Sequence, residues 1–193
     1  SVMVPVFDGK FNGNGHTISG LDYVGEGYVT AFFRYVEQNG VIDNLKVEGK
    51  VTANDEQECV GGIVGSNYGT IKNCTFSGCT STGVKEAINL DVPDAATGGF
   101  TWGGSTMDKT ADDTIYIHDN VFRNLAAGVG THMYTPGHPH RNIRIENNTF
   151  SSCRVFAIRA QNWENSTIKN NTFTNIKSAT ASEPAFAVDA RGI

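Results

Sequence analysis

Apolar and polar side chains alternate over short stretches of this chain, and one alternating phrase recurs several times. HRNIRIENNTF at 140–150 is closely repeated as TIYIHDNVF at 114–122, STIKNNTF at 166–173 and GTIKNCTF at 69–76. A period of two predicts β-strands, and the clustered Gly, Asn and Asp residues predict turns between them. Apolar residues at helical spacing are nearly absent. The pattern therefore predicts an all-β protein built from internal repeats.

The repeats place three apolar positions in phase. The second apolar residue of each phrase, the position five residues later and the position three residues after that form three columns. Successive members of the first column lie 29, 46, 28 and 23 residues apart, so the long step is either one repeat with an insertion or two repeats. The columns are Ile42, Ile71, Ile117, Ile145 and Ile168, then Val47, Phe76, Phe122, Phe150 and Phe173, and finally Cys79, Leu125, Cys153 and Ile176.

Each repeat is too short to bury its own apolar face, so we expect the repeats to stack as coils of a parallel β-solenoid. Between the first two columns every repeat has Asn or Asp, at Asn44, Asn73, Asp119, Asn147 and Asn170. Asn tolerates the left-handed backbone of a sharp turn, and stacked Asn amides can hydrogen-bond from coil to coil. The phrase thus recurs because each coil turns the same corner.

Two stretches resemble known repeat families. FDGKFNGNGHTISGL (7–21), AFFRYVEQNGVIDNLKVEGKV (31–51) and GGIVGSNYGTIKNC (61–74) resemble the GLUG-type repeats of bacterial surface proteins, including adhesins and some immunoglobulin A peptidases. Residues 114–176 resemble the PbH1 repeats of right-handed parallel β-helix proteins, a superfamily that includes pectate lyase-like enzymes. No catalytic residue of either family can be carried over.

The resemblance implies a single-stranded right-handed parallel β-helix of about six to seven coils, with the usual right-handed crossover. We expect one domain over 1–193, with GLUG-like coils in 1–80 and PbH1-like coils in 81–193. The chain opens directly on strand-like sequence and shows no signal peptide, so we expect a fragment of a longer protein or one whose leader was removed.

Composition argues against several classes of function. The chain has 193 residues and a net charge of −5, without the clustered Lys and Arg that nucleic-acid binding requires. No apolar run is long enough to insert into a membrane. Four cysteines form no CxxC pair, which disfavours zinc, and we expect buried free thiols. Cys79 and Cys153 should not be bridged, because Leu125 occupies the coil between them.

A second alignment predicts where a ligand site lies. EAINLD (86–91), AGVGTH (127–132), FAIRAQ (156–161) and FAVDAR (186–191) match one another, with Ile88, Val129, Ile158 and Val188 predicted to point inward. Alternation then points two columns outward, with neighbours about 5 Å apart. These columns are Asn89, Gly130, Arg159 and Asp189, and Asp91, His132, Gln161 and Arg191.

Two loops adjoin these columns. Residues 92–113 interrupt the repeat directly after Asp91 and contain Phe100 and Trp102, and the 132–140 loop contains Tyr134, His138 and His140. Long loops on a rigid scaffold often carry binding sites. The histidines match no metal motif, so we expect no metal or other cofactor, and calcium has no supporting motif.

We therefore predict a groove floored by Asp91, His132, Arg159 and Gln161 and walled by Trp102 and the 132–140 loop. The leading interpretation is binding or adhesion to a polysaccharide or glycan by a monomeric module of a secreted or surface-attached bacterial protein. The alternatives are a polysaccharide lyase or glycosidase, and a stalk with no ligand. In the enzymatic version the catalytic groups are Glu86, Asp91, His132 and Arg159. The predicted substrate-binding residues are Asn89, Trp102, Tyr134, His138, Gln161, Asp189 and Arg191.

Overall fold

The structure is a computed structural model that describes residues 3–24, 29–52, 59–60, 63–67, 69–77, 86–92, 94, 109–177 and 185–191. Within these ranges the regular elements are all strands, which confirms the predicted all-β class. The strands, in chain order, are β1 (Val4–Phe7), β2 (Lys10–Asn12), β3 (Thr17–Val24), β4 (Val29–Thr30), β5 (Phe33–Val36), β6 (Val41–Asp43), β7 (Lys46–Thr52), β8 (Cys59–Val60), β9 (Val64–Asn67), β10 (Thr70–Lys72), β11 (Thr75–Ser77), β12 (Glu86–Asn89), β13 (Tyr116–His118), β14 (Val121–Gly130), β15 (His140–Arg141), β16 (Arg144–Glu146), β17 (Thr149–Gln161), β18 (Trp163–Glu164), β19 (Thr167–Lys169), β20 (Thr172–Thr174) and β21 (Phe186–Arg191).

One wall is a six-stranded parallel sheet in the order β19-β16-β13-β10-β6-β2. Its register aligns the whole predicted isoleucine column and adds Phe11, which pairs with Ile42. Ile71 pairs directly with Ile117, so the long step in the repeat is one coil with an insertion. The four central isoleucines of the column, Ile42, Ile71, Ile117 and Ile145, are completely buried.

The phenylalanine column is also confirmed. Phe76, Phe122, Phe150 and Phe173 pair in register along β11, β14, β17 and β20. The rings of Phe122 and Phe150 stack with centroids 4.6 Å apart, and those of Phe150 and Phe173 with centroids 5.5 Å apart. Like residues therefore pack on like residues from coil to coil, which is how short repeats acquire a continuous core.

An eleven-stranded sheet joins the two remaining walls through the long strands β14 and β17. Its register is irregular between Leu125 and Ala127, where these strands pass from one wall to the next. The predicted pair of Leu125 and Cys153 is confirmed. Beyond the irregularity β12, β14, β17 and β21 align Ile88, Val129, Ile158 and Val188, of which the first three lie in the buried core.

The corners follow the predicted turn chemistry. All five predicted Asn and Asp residues have positive φ angles of 52° to 57°, the left-handed region that Asn tolerates. The structure also contains two repeating corners that the sequence reasoning missed. They are formed by Thr114, Asn142 and Asn165, and by Asn124, Ser152 and Asn175, all with positive φ.

Next to the predicted corner, three asparagines form the expected ladder through the coils. The Asn120 side-chain amide donates to Asn148 Oδ1 at 3.1 Å, and that of Asn148 donates to Asn171 Oδ1 at 3.0 Å. The backbone amides of Asn120 and Asn148 donate to the same two acceptors. Asn148 and Asn171 thus satisfy the buried amide of the asparagine one coil before each of them.

Two of the four cysteines can be assessed, because the side chains of Cys59 and Cys79 lie outside the described residues. Cys74 and Cys153 are free and buried, so the predicted absence of a bridge from Cys79 to Cys153 is confirmed. Burial raises the pKa of Cys74 to about 11 and that of Cys153 to about 12. Both thiols act as small apolar fillers of the core.

Candidate functional site

The polar residues of the C-terminal coils lie next to one another as predicted. Parallel pairing aligns Asn89 with Gly130, Gly130 with Arg159, and Arg159 with Asp189. In the second polar column, Gln161 pairs with Arg191, and Asp91 Oδ1 lies 2.6 Å from the His132 backbone nitrogen. The predicted adjacency of Asp91 and His132 is therefore observed, but it is made by the His132 backbone.

Several residues of the predicted outward columns are covered. Asn89 has no exposed surface, Asp91 is 2% exposed and Gln161 is 8% exposed, whereas His132 and Arg159 are half-buried. Glu86, which neither column contained, has no exposed surface either. At Asp91 the reason is that the 132–140 loop starts directly over the carboxylate, to which the backbone amides of His132 and Met133 both donate. Alternation predicts the direction of a side chain from the strand, but it says nothing about what covers that side chain.

Glu86 is the least satisfied member of this wall. Arg159 Nη1 lies 3.9 Å from Glu86 Oε1, and Arg159 Nε lies 3.5 Å from Asp189 Oδ2, both too long for hydrogen bonds. Among the described residues, neither Glu86 oxygen and neither polar side-chain atom of Asn89 has a hydrogen-bond partner. The Arg159 guanidinium instead lies over the Phe156 ring, 4.0 Å from its centroid.

These buried carboxyls are poorly solvated, and their pKa values rise. Burial raises the pKa of Glu86 to about 8, the charge of Asp91 adds to the rise, and Arg159 opposes it. Burial also raises the pKa of Asp91 to about 6, opposed chiefly by the two loop amides. Asn89 lies near both carboxylates and favours their ionised forms, although its contacts fall short of hydrogen-bond geometry.

The remaining predicted residues are dispersed. Tyr134 is 43% exposed and His138 is exposed, both on the 132–140 loop, whereas His132 is half-buried. Asp189 is buried beside Arg159. The side chain of Arg191 and the whole of Trp102 lie outside the described residues.

The described residues do contain a cleft, but none of the four residues predicted to floor the groove lines it. It has a volume of about 280 Å³ and is lined by residues 109–113, at the end of the insertion, and by residues 137–139 and Arg141 at the end of the second loop. His138 is its one lining residue among those predicted to bind substrate. The two loops singled out from the sequence thus meet, but the floor predicted between them lies elsewhere.

Neighbouring residues already contact three of the charged side chains that line the cleft. Asp113 Oδ1 accepts hydrogen bonds from the Thr114 hydroxyl at 2.9 Å and from Asn142 at 2.7 Å. Arg141 Nε donates to Glu164 at 3.1 Å, which leaves part of the guanidinium available. The Lys109 ammonium is 3.9 Å from Asp94 and is 45% exposed. The cleft therefore offers both cationic donors and oxygen acceptors to a polar ligand.

Sequence reasoning missed the buried pair of His140 and Asp112, which backs the cleft. His140 Nδ1 lies 2.9 Å from Asp112 Oδ2, and the two side chains are 0% and 2% exposed. His140 Nε2 has no hydrogen-bond partner among the described residues. The available signal was His140 itself, which begins a strand right after Pro139, but nothing local to it predicts that Asp112 is its partner.

The 132–140 loop is held by further polar contacts. The Thr135 hydroxyl donates to Asp94 at 2.6 Å, and the Asn162 amide donates to the carbonyls of Thr135 and His138. Trp163 Nε1 donates to Thr131 just before the loop, at 2.8 Å. These contacts define one conformation for the loop and hence for one side of the cleft.

Neither a metal site nor a membrane span is found in the part of the chain that the structure describes. It contains no group of three or more His, Cys, Asp or Glu side chains placed to hold a metal ion. It also contains no helix long and apolar enough to cross a membrane.

Stacked parallel strands, repeated corners and loops gathered at one wall define a repeat protein of the parallel β-helix class. A family model described as a right handed beta helix region matches residues 11–183, and the chain belongs to that family. No solved structure matches the chain.

Two curated relatives are similar over part of the chain. Halomucin of Haloquadratum walsbyi is 42% identical over 74 residues, which are 37% of this chain and 1% of the relative. A putative Gly-rich membrane protein of Evansella cellulosilytica is 34% identical over 70 residues, 35% of this chain and 8% of the relative. The matched part is thus a small fraction of each relative's length.

Proposed function

We propose that this chain is a carbohydrate-binding module of a secreted or cell-surface protein and that a glycan binds in the cleft formed by residues 109–113, 137–139 and Arg141. The observation that carries the proposal is the polar lining of this cleft, which combines Lys109 and Arg141 as donors with carboxylate and carbonyl oxygens. Sugar hydroxyls need both kinds of partner. The stacked coils behind the cleft supply a rigid support, so little order would have to be gained on binding.

The wider setting supports the same proposal. One curated relative is named as a membrane protein, which agrees with a location at the cell surface. The PbH1-type resemblance implies a superfamily that includes polysaccharide-active enzymes, and the GLUG-type resemblance implies repeats that occur in bacterial adhesins. We accordingly retain Tyr134, His138, Trp102 and Arg191 as predicted ligand-binding residues, and a monomeric bacterial module as the expected form. Asn89, Gln161 and Asp189 stay predicted ligand-binding residues as well, although their burial removes them from direct contact with a ligand in this conformation.

We also infer that the strands form one right-handed solenoid. The six parallel strands of the isoleucine wall represent six successive coils, close to the about six to seven expected from the repeat. One solenoid domain over 1–193, with GLUG-like coils up to residue 80, fits the uninterrupted register from Phe11 to Ile168.

Catalysis by a polysaccharide lyase or glycosidase is a second candidate, favoured by one specific observation. Asp112 both lines the cleft and has its Oδ2 2.9 Å from His140 Nδ1, so a carboxyl–imidazole pair of the kind used in acid–base catalysis lies in its wall. Glu86, Asp91, His132 and Arg159 remain the predicted catalytic groups, although the burial of Glu86 and Asp91 removes them from direct contact with a sugar in this conformation.

The test is a binding and turnover screen on a panel of neutral and acidic polysaccharides. We expect saturable binding by calorimetry, and replacing Lys109 and Arg141 together by Ala should weaken it at least about tenfold through the loss of charge-assisted hydrogen bonds. Arg123→Ala is the matched control, because Arg123 is an exposed arginine outside the cleft. Reducing ends or unsaturated products would favour the enzyme, and no binding to any polysaccharide would favour a stalk.

A further inference from the structure

One edge of the cleft carries three charged residues on three successive coils. Asp113 forms a parallel bridge with Arg141, and Arg141 pairs in register with Glu164 of β18. Neighbouring coils are about 4.8 Å apart, so a carboxylate, a guanidinium and a second carboxylate follow one another along this edge. Each of the three directly precedes a corner residue with positive φ, and these corner residues are Thr114, Asn142 and Asn165. Of the three charged residues, Asp113 and Arg141 line the cleft.

The Arg141 guanidinium is held by only one of its two neighbouring carboxylates. Its Nε and Nη2 atoms both lie 3.1 Å from Glu164 Oε2. Among the described residues, no ion pair or hydrogen bond joins the side chains of Asp113 and Arg141, although their backbones are paired. A guanidinium has five N–H donors in a fixed fork, so most of those of Arg141 remain for another partner.

Asp113 is held in a complementary way. Its Oδ1 accepts hydrogen bonds from the Asn142 amide at 2.7 Å and from the Thr114 hydroxyl at 2.9 Å. Both bonds end on the same oxygen, and no hydrogen bond from the described residues reaches Oδ2. The bonds from Asn142 and Thr114 lower the pKa of Asp113, and the charge of Arg141 adds to the effect. Asp113 therefore presents an ionised and oriented oxygen on the exposed surface.

The polarity of the two groups limits what binds across them. A carboxylate oxygen only accepts hydrogen bonds, and a guanidinium only donates them. A ligand that bridges Asp113 and Arg141 must therefore present a donor and an acceptor side by side. Two hydroxyls on adjacent carbons of a sugar ring meet this requirement, because one donates to the carboxylate while its neighbour accepts from the guanidinium.

The charges at this edge favour a neutral sugar over an acidic one. Asp113 and Glu164 are acidic, whereas Lys109 and Arg141 are basic, so their formal charges cancel. The side chains of Arg141 and Lys109 are 51% and 45% exposed, so water screens the charge that they offer to an anion. An acidic ligand would gain little from the two cations and would be repelled by the nearby carboxylate of Asp113.

We propose that Asp113 and Arg141 form a subsite for the vicinal diol of a neutral sugar residue, in which Asp113 Oδ2 accepts a hydrogen bond from one hydroxyl and Arg141 donates to the next. The inference rests on the proposed binding of a glycan in the cleft and names the sugar group that this binding selects. Hydrogen bonds to ionised partners are roughly twice as strong as those between neutral groups, so a sugar that lacks either hydroxyl should bind weakly.

Neutralising Asp113 has effects of opposite sign on the two kinds of ligand. Asp113→Asn keeps an oxygen for the bonds from Asn142 and Thr114 but removes the charge that strengthens the bond from a sugar hydroxyl. Calorimetry of the whole chain with the panel of neutral and acidic polysaccharides should show about tenfold weaker binding of the tightest ligand. Equal or tighter binding to Asp113→Asn would overturn the proposal, and tighter binding is the result that an anionic ligand would give.

The matched control is Asp119→Asn, which should bind the same polysaccharide as the wild type does. Asp119 is also an exposed aspartate at a corner of the solenoid, and other coils already carry Asn at its position. It does not line the cleft. An equal loss of affinity in both variants would attribute the effect to the net charge of the protein and would also overturn the proposed role of Asp113.

Periodate treatment tests the ligand side of the subsite. Periodate breaks the bond between carbons that carry adjacent free hydroxyls, so the treated polysaccharide should bind at least about tenfold more weakly than a mock-treated sample. A glucan linked through carbon three has no adjacent free ring hydroxyls within its chain and should bind weakly even without treatment. Unchanged binding after oxidation would contradict the diol subsite but leave glycan binding in the cleft intact. If no polysaccharide of the panel binds, the proposed function fails and the subsite fails with it.

Discussion

Two sets of buried polar residues differ sharply within this one β-helix. In the ladder of Asn120, Asn148 and Asn171, the side-chain oxygens of Asn148 and Asn171 each accept two hydrogen bonds from the preceding coil, and that of Asn120 accepts one. In the wall at Glu86 and Asn89, four buried polar side-chain atoms have no partner among the described residues. Both sets are buried on the same scaffold, so burial alone does not distinguish them.

Repetition explains the difference. An amide has both a donor and an acceptor, so identical asparagines stacked about 4.8 Å apart satisfy one another in every coil. The wall carries a different residue in each coil, from Asn89 to Gly130, Arg159 and Asp189, and such a column cannot pair like with like. A buried polar atom without a hydrogen-bond partner lowers stability. The presence of such atoms at Glu86 and Asn89 therefore points to a role other than holding the coils together.

The largest expected effect lies in the repeated interior. Phe150→Ala should lower the free energy of unfolding by about 3–5 kcal/mol, because it removes a fully buried ring stacked on both sides. Phe173→Ala, at a partly buried position in the same column, should cost clearly less. Urea denaturation of both variants measures the difference. Equal losses in the free energy of unfolding would contradict the account that the ring of Phe150 is more deeply packed than that of Phe173.

Glu86→Gln should raise the free energy of unfolding at alkaline pH, whereas Phe150→Ala lowers it. A carboxyl whose pKa is raised by folding stabilises the fold at low pH, and that contribution is lost as pH rises from its ordinary value of 4.5 to about 8. The glutamine variant lacks this loss, so between pH 5 and pH 9 it should gain about 4 kcal/mol of stability relative to the wild type. Denaturation at pH 5 and pH 9 tests this, and an equal difference between the two proteins at both pH values would contradict it.

The satisfied ladder should respond as a structural element. Asn148→Ala removes the acceptor of two Asn120 donors and the amide that donates to the Ile117 carbonyl, and it should cost about 2 kcal/mol at every pH. Thr149→Ala, at the exposed neighbouring position, should change little. A pH-dependent loss in Asn148→Ala would remove the contrast between the ladder and the wall.

The thiols should show the smallest effect. Burial holds Cys74 and Cys153 in the protonated form well above neutral pH, so a thiol reagent should modify them only when the chain unfolds. Mass spectrometry of labelled peptides with and without urea measures this. Rapid labelling of either cysteine in the folded protein would show that the core is open there.

Much of the fold was predictable because each coil repeats the same local physics. A shift of one residue would turn Ile117 or Phe122 away from the core, so three columns in phase determine the register of the strands. Asn147 and its equivalents predicted one corner by their tolerance of positive φ. The two other corners were missed although four of their six residues are Asn, because Thr114 and Ser152 interrupt the two columns and neither residue type marks a left-handed turn by itself.

The candidate site was predictable only in part. The sequence placed Asn89 and Arg159 in one column on either side of Gly130, since the coils share a register. It did not predict that the 132–140 loop covers Asp91, because loop conformation depends on contacts such as that of Thr135 with Asp94. The Asp112–His140 pair joins two irregular segments whose meeting no periodic pattern encodes.

The most direct test of the contrast between ladder and wall is a carbon-13 NMR titration of the Glu86 carboxyl, assigned by comparison with Glu86→Gln. Our account of a buried and unsatisfied wall predicts a midpoint at about pH 8 in the folded protein. A midpoint near the ordinary value of 4.5 would mean that Glu86 is solvated or well paired. The wall would then be an ordinary solvated face of the helix, and the distinction drawn from the asparagine ladder would be lost.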